Sequence, residues 1–581
     1  MDRSRSLRVL GIEGTAWAAS AAVFETSDPT RRTDDERVEI YTDAYEPDSG
    51  GIHPREAAEH MHEAIPEVVA QARETAREWA GEYDGRDRQP IDAVAFSRGP
   101  GLGPCLRIVA TAARATAQRF DVPLVGVNHM VAHLEIGRHR SGFDSPVCLN
   151  ASGANAHVLG YRNGRYRVLG ETMDTGVGNA IDKFTRHLGW SHPGGPKVEE
   201  RAKDGEFVDL PYVVKGMDFS FSGIMSAAKQ AVDNGEAVED VCFGLQEHVF
   251  AMLTEVSERA LSLTGSGQLV LGGGVAQNDR LREMLESMCE QRGADFYAPE
   301  ARFLRDNAGM IAVLGAKMFE ADDTLPIEES RIDSNFRPDQ VPVTWREDED
   351  WTADGDSVRV GKDDRADGGG HAGDALQGAE ATVTFEDGLV TKRRNPRTYR
   401  HETLDDRLRR ERTRLEARLT SQARREGVPT PVIEDVDPEN GVLVYQRVGE
   451  ADLRDDLTEA RVRDVGRHLA TIHDAGFVHG DPTTRNVRVG REASETRSSK
   501  TTDNAATAER TYLIDFGLGY FTDDAEDYAM DLHVFDQSLT GTADDAEPLL
   551  AAAREAYRAE SSDPETVLER LREIEGRGRY Q

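Results

Sequence analysis

L-R-V-L-G-I-E-G-T at residues 7–15 is an apolar run that ends in a Gly- and Thr-containing turn, and Q-L-V-L-G-G-G-V-A-Q-N at 268–278 repeats the arrangement. Runs of aliphatic residues closed by glycine read as buried strands that end in tight turns. Outward from the first run, A-S-A-A-V-F (19–24), I-D-A-V-A-F (91–96) and V-P-L-V-G-V (122–127) also read as strands, whereas P-R-E-A-A-E-H-M-H-E-A-I-P-E-V-V (54–69) and 104–120 read as helices. Around the second run, V-C-L-N-A (147–151) and A-H-V-L-G-Y (156–161) are strand-like and 241–262 is helical. An α/β pattern occurring twice predicts two lobes with a cleft between them.

The chain has 581 residues, which predicts two or three domains. No apolar run nears the length of a membrane span. The first residues run straight into a strand, with no apolar leader and small-residue cleavage site. Cys105, Cys148, Cys242 and Cys289 form no C-x-x-C, so they read as buried or free thiols of a reducing compartment, and the expected location is the cytoplasm. A net charge of -36 argues, taken alone, against a nucleic-acid partner. Residues 391–425 dissent, with thirteen Lys and Arg against five Asp and Glu.

Acidic, Gly-rich residues at 345–375 break the α/β pattern and read as a linker. The expected boundaries are a first domain at 1–330, a linker at 331–375 and a second domain at 376–581. A-T-V-T-F (381–385), G-L-V-T-K (388–392) and V-L-V-Y (442–445) read as strands, and 402–426 and 458–475 as helices. Residues 490–510 are polar and of low complexity, read as a disordered insertion.

His129 and His133 in N-H-M-V-A-H (128–133) are four apart, so on a helix both imidazoles project from one face and can share an ion. Met130 stands where H-E-x-x-H has its general base, which disfavours a metallopeptidase. Asp306 in R-D-N-A-G-M (305–310) would complete a two-His-one-carboxylate set suited to iron or zinc. G-I-E-G-T (11–15) and L-G-G-G-V-A-Q-N (271–278) are turns whose backbone N–H groups can face phosphate. Asp182 and the H-P-G-G-P-K-V-E segment (192–199) supply polar groups for a ribose or acyl moiety. No Ser/His/Asp arrangement points to a covalent acyl-enzyme.

In order along 1–325, G-I-E-G-T, S-R-G-P-G-L-G-P (97–104), N-H-M-V-A-H, S-G-A-N (152–155), H-P-G-G-P-K-V-E, F-S-F-S-G (219–223), G-G-V-A-Q-N and D-N-A-G-M-I (306–311) resemble the threonylcarbamoyltransferase subunit of the KEOPS complex, which has an actin/Hsp70/sugar-kinase-like α/β fold of two lobes. The resemblance implies transfer of threonylcarbamoyl from its adenylate to N6 of the adenosine beside the anticodon of tRNA. It implies a metal at His129, His133 and Asp306, and contacts to the nucleotide from Asn150, Ala151, Ser152, Gly153, Ala154, Asp182, Gly195, Glu199 and Asn278. Related archaeal and eukaryotic sequences usually carry Tyr where Asn150 stands. Asn150 would ligate the metal through its carbonyl oxygen or leave a position to water.

H-G-D-P-T-T-R-N (479–486) sets Asp481 five residues before Asn486, the spacing of a kinase catalytic loop in which the Asp receives a hydroxyl proton and the Asn binds magnesium. D-F-G follows at 515–517, its Asp515 a second magnesium contact. Lys392 ends a strand and would reach the phosphates of ATP, and Glu416 on the next helix can pair with it. The segment directly before the strands that lead to Lys392 is Q-G-A-E-A (377–381), not G-x-G-x-x-G, and no A-P-E follows D-F-G. Together with K-R-R-N-P-R-T-Y-R (392–400), E-A-R-L (416–419), G-V-P-T-P (427–431), D-F-G-L-G (515–519), E-D-Y-A-M-D-L (526–532) and the G-R-G-R tail, these motifs resemble the small atypical kinase/ATPase of the KEOPS complex, with Tyr528 and Pro482 where that family has Lys and Leu.

The expectation is therefore a fusion: an actin/Hsp70-like transferase followed by an α+β, bilobal, kinase-like domain. Its expected partners are tRNA, ATP with Mg(2+) and other small KEOPS subunits, with no membrane. The basic stretch 391–425 with Arg577 and Arg579 is the expected tRNA surface. The rival readings are a nucleotide-gated scaffold and a metallopeptidase with an attached kinase.

Overall fold

In the computed structural model, which describes residues 6–45, 53–81, 89–153, 155–162, 164–346, 375–377, 381–491, 509–543 and 545–580, the strand ending at Glu13 is the middle of a sheet. The elements run β1 (Leu7–Glu13), β2 (Ala18–Thr26), β3 (Arg37–Ala44), α1 (Pro54–Gly81), β4 (Ala93–Gly99), α2 (Gly103–Phe120), β5 (Leu124–Asn128) and α3 (His129–Ser141). They continue with β6 (Val147–Ala151), β7 (Ala156–Arg162), β8 (Arg165–Glu171), α4 (Val177–His187), α5 (Gly195–Ala202), β9 (Val214–Lys215), β10 (Asp218–Phe219), α6 (Ser222–Asp233) and α7 (Val238–Thr264). Then come β11 (Gln268–Gly272), α8 (Asp279–Arg292), β12 (Asp295–Tyr297), α9 (Ala301–Leu304) and α10 (Ala308–Glu320).

The first sheet is ordered β3-β2-β1-β4-β5 and the second, read from its other edge, β8-β7-β6-β11-β12. In each, the first three strands are antiparallel and the last two join parallel to the first. The α/β pattern seen twice in the sequence is thus one topology used twice, the actin/Hsp70-like lobed architecture. Apolar residues of α1 and α2 cover the outer face of the first sheet, and those of α4 to α8 cover the outer face of the second. Between the two sheets lie α3 and α10. Such a helix must be apolar all round, and ten of the thirteen residues of α3 are buried.

That middle layer also holds an ion cluster. Glu135 of α3 is fully buried and accepts from Lys317 Nζ of α10 at 2.8 Å, from Arg138 Nε at 2.9 Å and from the Tyr166 hydroxyl of β8. Burial opposes its ionisation, but Arg138 and Lys317 hold its carboxyl well below the usual range. The cluster ties α3 to α10 and both to the second sheet.

Residues 331–346, expected to begin the linker, belong to the first unit. Asp333 N donates to Arg98 O, Val341 is buried in the middle core, and the Arg346 guanidinium lies 3.7 Å over the Tyr161 ring. The segment has no helix or strand period, which hides these anchors in the sequence. The part of the expected linker at 347–374 lies outside the described residues, as do most of Q-G-A-E-A and of the insertion at 490–510. Thr398–Arg400 also belong to the first unit, where Tyr399 is buried and donates to Glu258.

The second unit has a five-stranded antiparallel sheet of β13 (Ala375–Gln377), β14 (Ala381–Glu386), β15 (Leu389–Arg394), β16 (Ile433–Asp437) and β17 (Val442–Gln446), in the order β13-β14-β15-β17-β16, with α11 (Glu402–Arg425) against it. A mainly helical half follows: β18 (Ala451–Asp452), α12 (Glu459–Asp474), β19 (Phe477–Val478), β20 (Val487–Arg491), β21 (Glu509–Leu513), β22 (Tyr520–Phe521), α13 (Ala525–Thr542), α14 (Glu547–Glu560) and α15 (Pro564–Tyr580). One apolar core joins α11 to these helices. Among the described residues no helix is long and apolar enough to cross a membrane.

Lys317→Met leaves Glu135 with Arg138 and Tyr166 but removes its link to α10. Breaking a buried pair on one side is expected to cost the first unit about 3 kcal/mol, read as a lower denaturant midpoint. An unchanged midpoint would show that the two helices are held by apolar packing alone.

Candidate active sites

Asn128, the last residue of β5, caps α3: its side-chain oxygen accepts from Met130 N at 3.0 Å and Val131 N at 3.1 Å. Asn307 caps α10 in the same way, accepting from Met310 N at 3.1 Å. His129 follows the first cap and Asp306 precedes the second, so each sits where an asparagine fixes the backbone. Ala308 N donates to the buried Ser20 hydroxyl, which pins the start of α10 to β2.

His129 Nε2 and His133 Nε2 each lie 3.3 Å from Asp306 Oδ1, and the three ligand atoms fall within 4.8 Å of one another. Among the described His, Cys, Asp and Glu residues this is the one group arranged for a metal ion. The donor set fits a divalent cation: two imidazole nitrogens one helical turn apart on α3 and a carboxylate just before the cap of α10. Behind it, His129 Nδ1 donates to Glu13 Oε2 at 3.2 Å, and Glu13 Oε1 accepts from Thr15 N at 2.8 Å. A carboxylate on the far nitrogen of a ligating histidine fixes its ring and tautomer.

Burial alone would lower the pKa of His129, but Glu13 and Asp306 outweigh it and push the group up to about 10. Burial lowers His133, and the neighbouring His129 charge adds to that. The two carboxylates thus favour a charged His129, whereas burial favours a neutral His133. Asp306 is held below its ordinary value by the two histidines despite its burial.

Asn150 is the last residue but one of β6, with Nδ2 3.7 Å from Met130 Sδ, and its buried side-chain oxygen has no hydrogen-bond partner. Ser152 closes a turn onto Asn155, and the Ser152 and Gly153 carbonyls accept from Gly178 N and Asn179 N at the start of α4. Ala151 ends β6 beside them; Ala154 lies outside the described residues. Asp182 holds the H-P-G-G-P loop: Oδ1 accepts from Gly194 N at 2.7 Å and Oδ2 lies 3.0 Å from His192 Nδ1. Gly195 starts α5, on which Glu199 accepts from Asp279 N at 2.9 Å, while Asn278 caps α8 and donates to Gln246. Gly11, read as part of a phosphate turn, lies inside β1. Its missing side chain lets α10 approach, since a β-carbon there would stand 2.5 Å from Ala308 O.

In the second unit Lys392 Nζ lies 2.9 Å and 3.0 Å from the two Glu416 oxygens and 2.6 Å from Asp515 Oδ1. Asn486 Nδ2 donates to Asp481 Oδ2 at 2.8 Å. Asp515 adopts φ 64°, rare for a residue with a side chain. Asp531 of α13 holds the preceding loop from behind, accepting from His479 N and from Gly480 N at 2.8 Å. The side chains of Arg577 and Arg579 lie outside the described residues.

Sequence reasoning missed Glu13, Asn128, Asn307 and Asp531. Glu13 stood inside the quoted G-I-E-G-T, and the asparagines stood beside quoted ligands. An Asn directly before an apolar-periodic run is the signal of a helix cap. Asp531 stood inside the quoted E-D-Y-A-M-D-L, but nothing local ties it to the loop that it holds, whose Gly480 is 51 residues earlier.

Residues 36–313 match the family described as tRNA N6-adenosine threonylcarbamoyltransferase. Over 99% of its length the chain is 71% identical to all of the "Probable bifunctional tRNA threonylcarbamoyladenosine biosynthesis protein" of Haloarcula marismortui. Proteins of the same description are 66% identical in Halobacterium salinarum, over 99% of each chain, and 47% identical in Methanospirillum hungatei, over 98% of this chain and 99% of that one.

In the metal-free chain the raised His129 contributes stability that is fully present below its unfolded value near 6.5 and is lost as pH rises towards 10. Melting temperature is expected to fall across that window, and Glu13→Gln to flatten the slope. The same substitution is expected to weaken Zn(2+) affinity about tenfold, measured by competition with a chelator. A flat profile in the unsubstituted chain, or unchanged affinity in Glu13→Gln, would remove Glu13 from the site.

Proposed function

This chain belongs to the bifunctional tRNA threonylcarbamoyladenosine biosynthesis proteins, and from that premise we propose that its first unit moves threonylcarbamoyl from the adenylate to N6 of the adenosine beside the anticodon, while its second is a kinase-like ATPase that supports the reaction. As a member it is a transferase of tRNA threonylcarbamoyladenosine synthesis. The observation that carries the finer reading is the convergence of His129 and His133 of α3 with Asp306, just before α10, into one metal-ligating set.

In the reaction N6 bonds to the carbamoyl carbon, the bond from that carbon to the adenylate oxygen breaks, AMP leaves and the nitrogen gives up a proton. The donor is already activated, so orientation and stabilisation of the developing oxyanion are the main needs. This family works with a divalent metal; iron or zinc would suit His129, His133 and Asp306 and would supply a Lewis acid for carbonyl or phosphate oxygens. The chain itself fixes the His129 ring through Glu13 and holds Asp306 through the α10 cap. Asn150, Ala151, Ser152, Gly153, Asp182, Gly195, Glu199 and Asn278 are assigned to the adenylate. Asp182 acts there by shaping the H-P-G-G-P loop.

In the second unit Lys392 is assigned to the phosphates of ATP, Asp515 and Asn486 to Mg(2+), and Asp481 to the attacking hydroxyl or water. The Lys392–Glu416 pair and the Asn486–Asp481 contact support this. ATP, other small KEOPS subunits and a cytoplasmic setting belong to the same proposal, as does contact between tRNA and the basic stretch 391–425.

Transfer of labelled threonylcarbamoyl from its adenylate to tRNA by the purified chain tests the reading. His129→Ala is expected to lower transfer at least a hundredfold and leave ATP hydrolysis intact. Asp481→Asn is expected to lower hydrolysis by a similar factor. Full transfer by His129→Ala would overturn the metal assignment, and full hydrolysis by Asp481→Asn that of the second unit.

A further inference from the structure

Lys392 and Arg394 are two apart on β15, so their side chains leave the same face of the sheet, and both are buried. They share one acceptor. Glu416 of α11, itself buried, receives Lys392 Nζ on both oxygens and Arg394 Nη2 on Oε2 at 2.6 Å. Arg394 is tied to the strand by its own N–H, which donates to Gly441 O at 2.8 Å. Its guanidinium also closes over the I-D-F-G turn, where a β-carbon on Gly517 would collide with Nη2. Lys392 meanwhile holds Asp515 at 2.6 Å.

This arrangement answers a problem that the lysine alone would create. For Lys392 to serve phosphates, its ammonium must exchange Asp515 for the nucleotide while its pair with Glu416 stays in place. With Lys392 as its one cation, the buried Glu416 would lose compensation, and with it a fixed position, as the ammonium turns to the phosphates. Arg394 is charged at every working pH and keeps Glu416 compensated throughout.

Resting on the reading of Lys392, Glu416 and Asp515 as phosphate and magnesium groups, we infer that Arg394 is a positioning residue of the nucleotide site. It holds Glu416 and the Asp515–Gly517 turn in place while Lys392 exchanges Asp515 for the phosphates of a nucleotide. It touches neither nucleotide nor metal.

The test is steady-state Mg-ATP hydrolysis by the full chain, with the Asp481→Asn rate as baseline. Arg394→Gln keeps a hydrogen-bond donor and removes the charge. It is expected to raise KM for ATP about tenfold, with kcat within about twofold, because Glu416, and Lys392 with it, is then no longer fixed opposite the phosphates. Arg394→Lys restores the charge and is expected to return KM to within about threefold of the unsubstituted chain. Loss of folded protein alone would lower apparent kcat and leave KM unmoved, which overturns the inference, as does an unchanged KM in a folded Arg394→Gln chain. If Arg394→Gln does not fold, a folded Arg394→Lys chain with KM raised tenfold also overturns it, since the charge alone is then not enough. Asp481→Asn hydrolysis equal to that of the unsubstituted chain would instead defeat the underlying reading of the site.

Discussion

A single buried carboxylate organises the first unit. Glu135 lies on a helix enclosed by two sheets, where an ion without partners would cost several kcal/mol. It is met by Lys317 from α10, by Arg138 from its own helix and by Tyr166 from β8. Because α3 carries both histidines and α10 begins just after Asp306, the contact that neutralises Glu135 also sets the spacing of the three ligand atoms. The apolar middle layer supplies most of the burial energy; the ionic cluster gives the two helices one register.

The chemistry then follows from what stands behind each reactive group. Glu13 holds His129 from the side away from Asp306. Asp531 holds the backbone of the loop that carries Asp481. Glu416 holds Lys392, and Arg394 holds Glu416. In each case a buried carboxylate or guanidinium fixes the orientation of a group that must later face a substrate, so little reorganisation is left for the reaction. The two units share no topology, yet both keep the supporting charge buried.

Much of this was legible along the chain. Two strand-and-glycine runs announced a duplicated α/β fold, and the sheets have one strand order used twice. His129 and His133 at i, i+4 could be read as one face of a helix before any coordinates. The boundary at 330 was misplaced because 331–346 has no helix or strand period to read: Phe336, Val341 and Trp345 stand apart in the sequence, yet they are enough to dock it. Gly11 was read as a phosphate turn because a glycine that permits a loop and one that permits a helix to approach look alike in sequence.

Local spacing decides what one element presents: which residues share a helix face, which residue caps it, which follow one another across a turn. Those were the histidine pair, the Asp481–Asn486 interval and the Gly-rich strand ends. Contacts between elements have no such period. That Asp306 meets histidines 173 and more residues earlier, that Glu13 backs His129, and that Arg394 shares Glu416 with Lys392 are consequences of which strands pair and which helices are enclosed. Chain folding brings these charges into a low-dielectric interior, where each needs a partner and distance along the sequence has no bearing on which partner it finds.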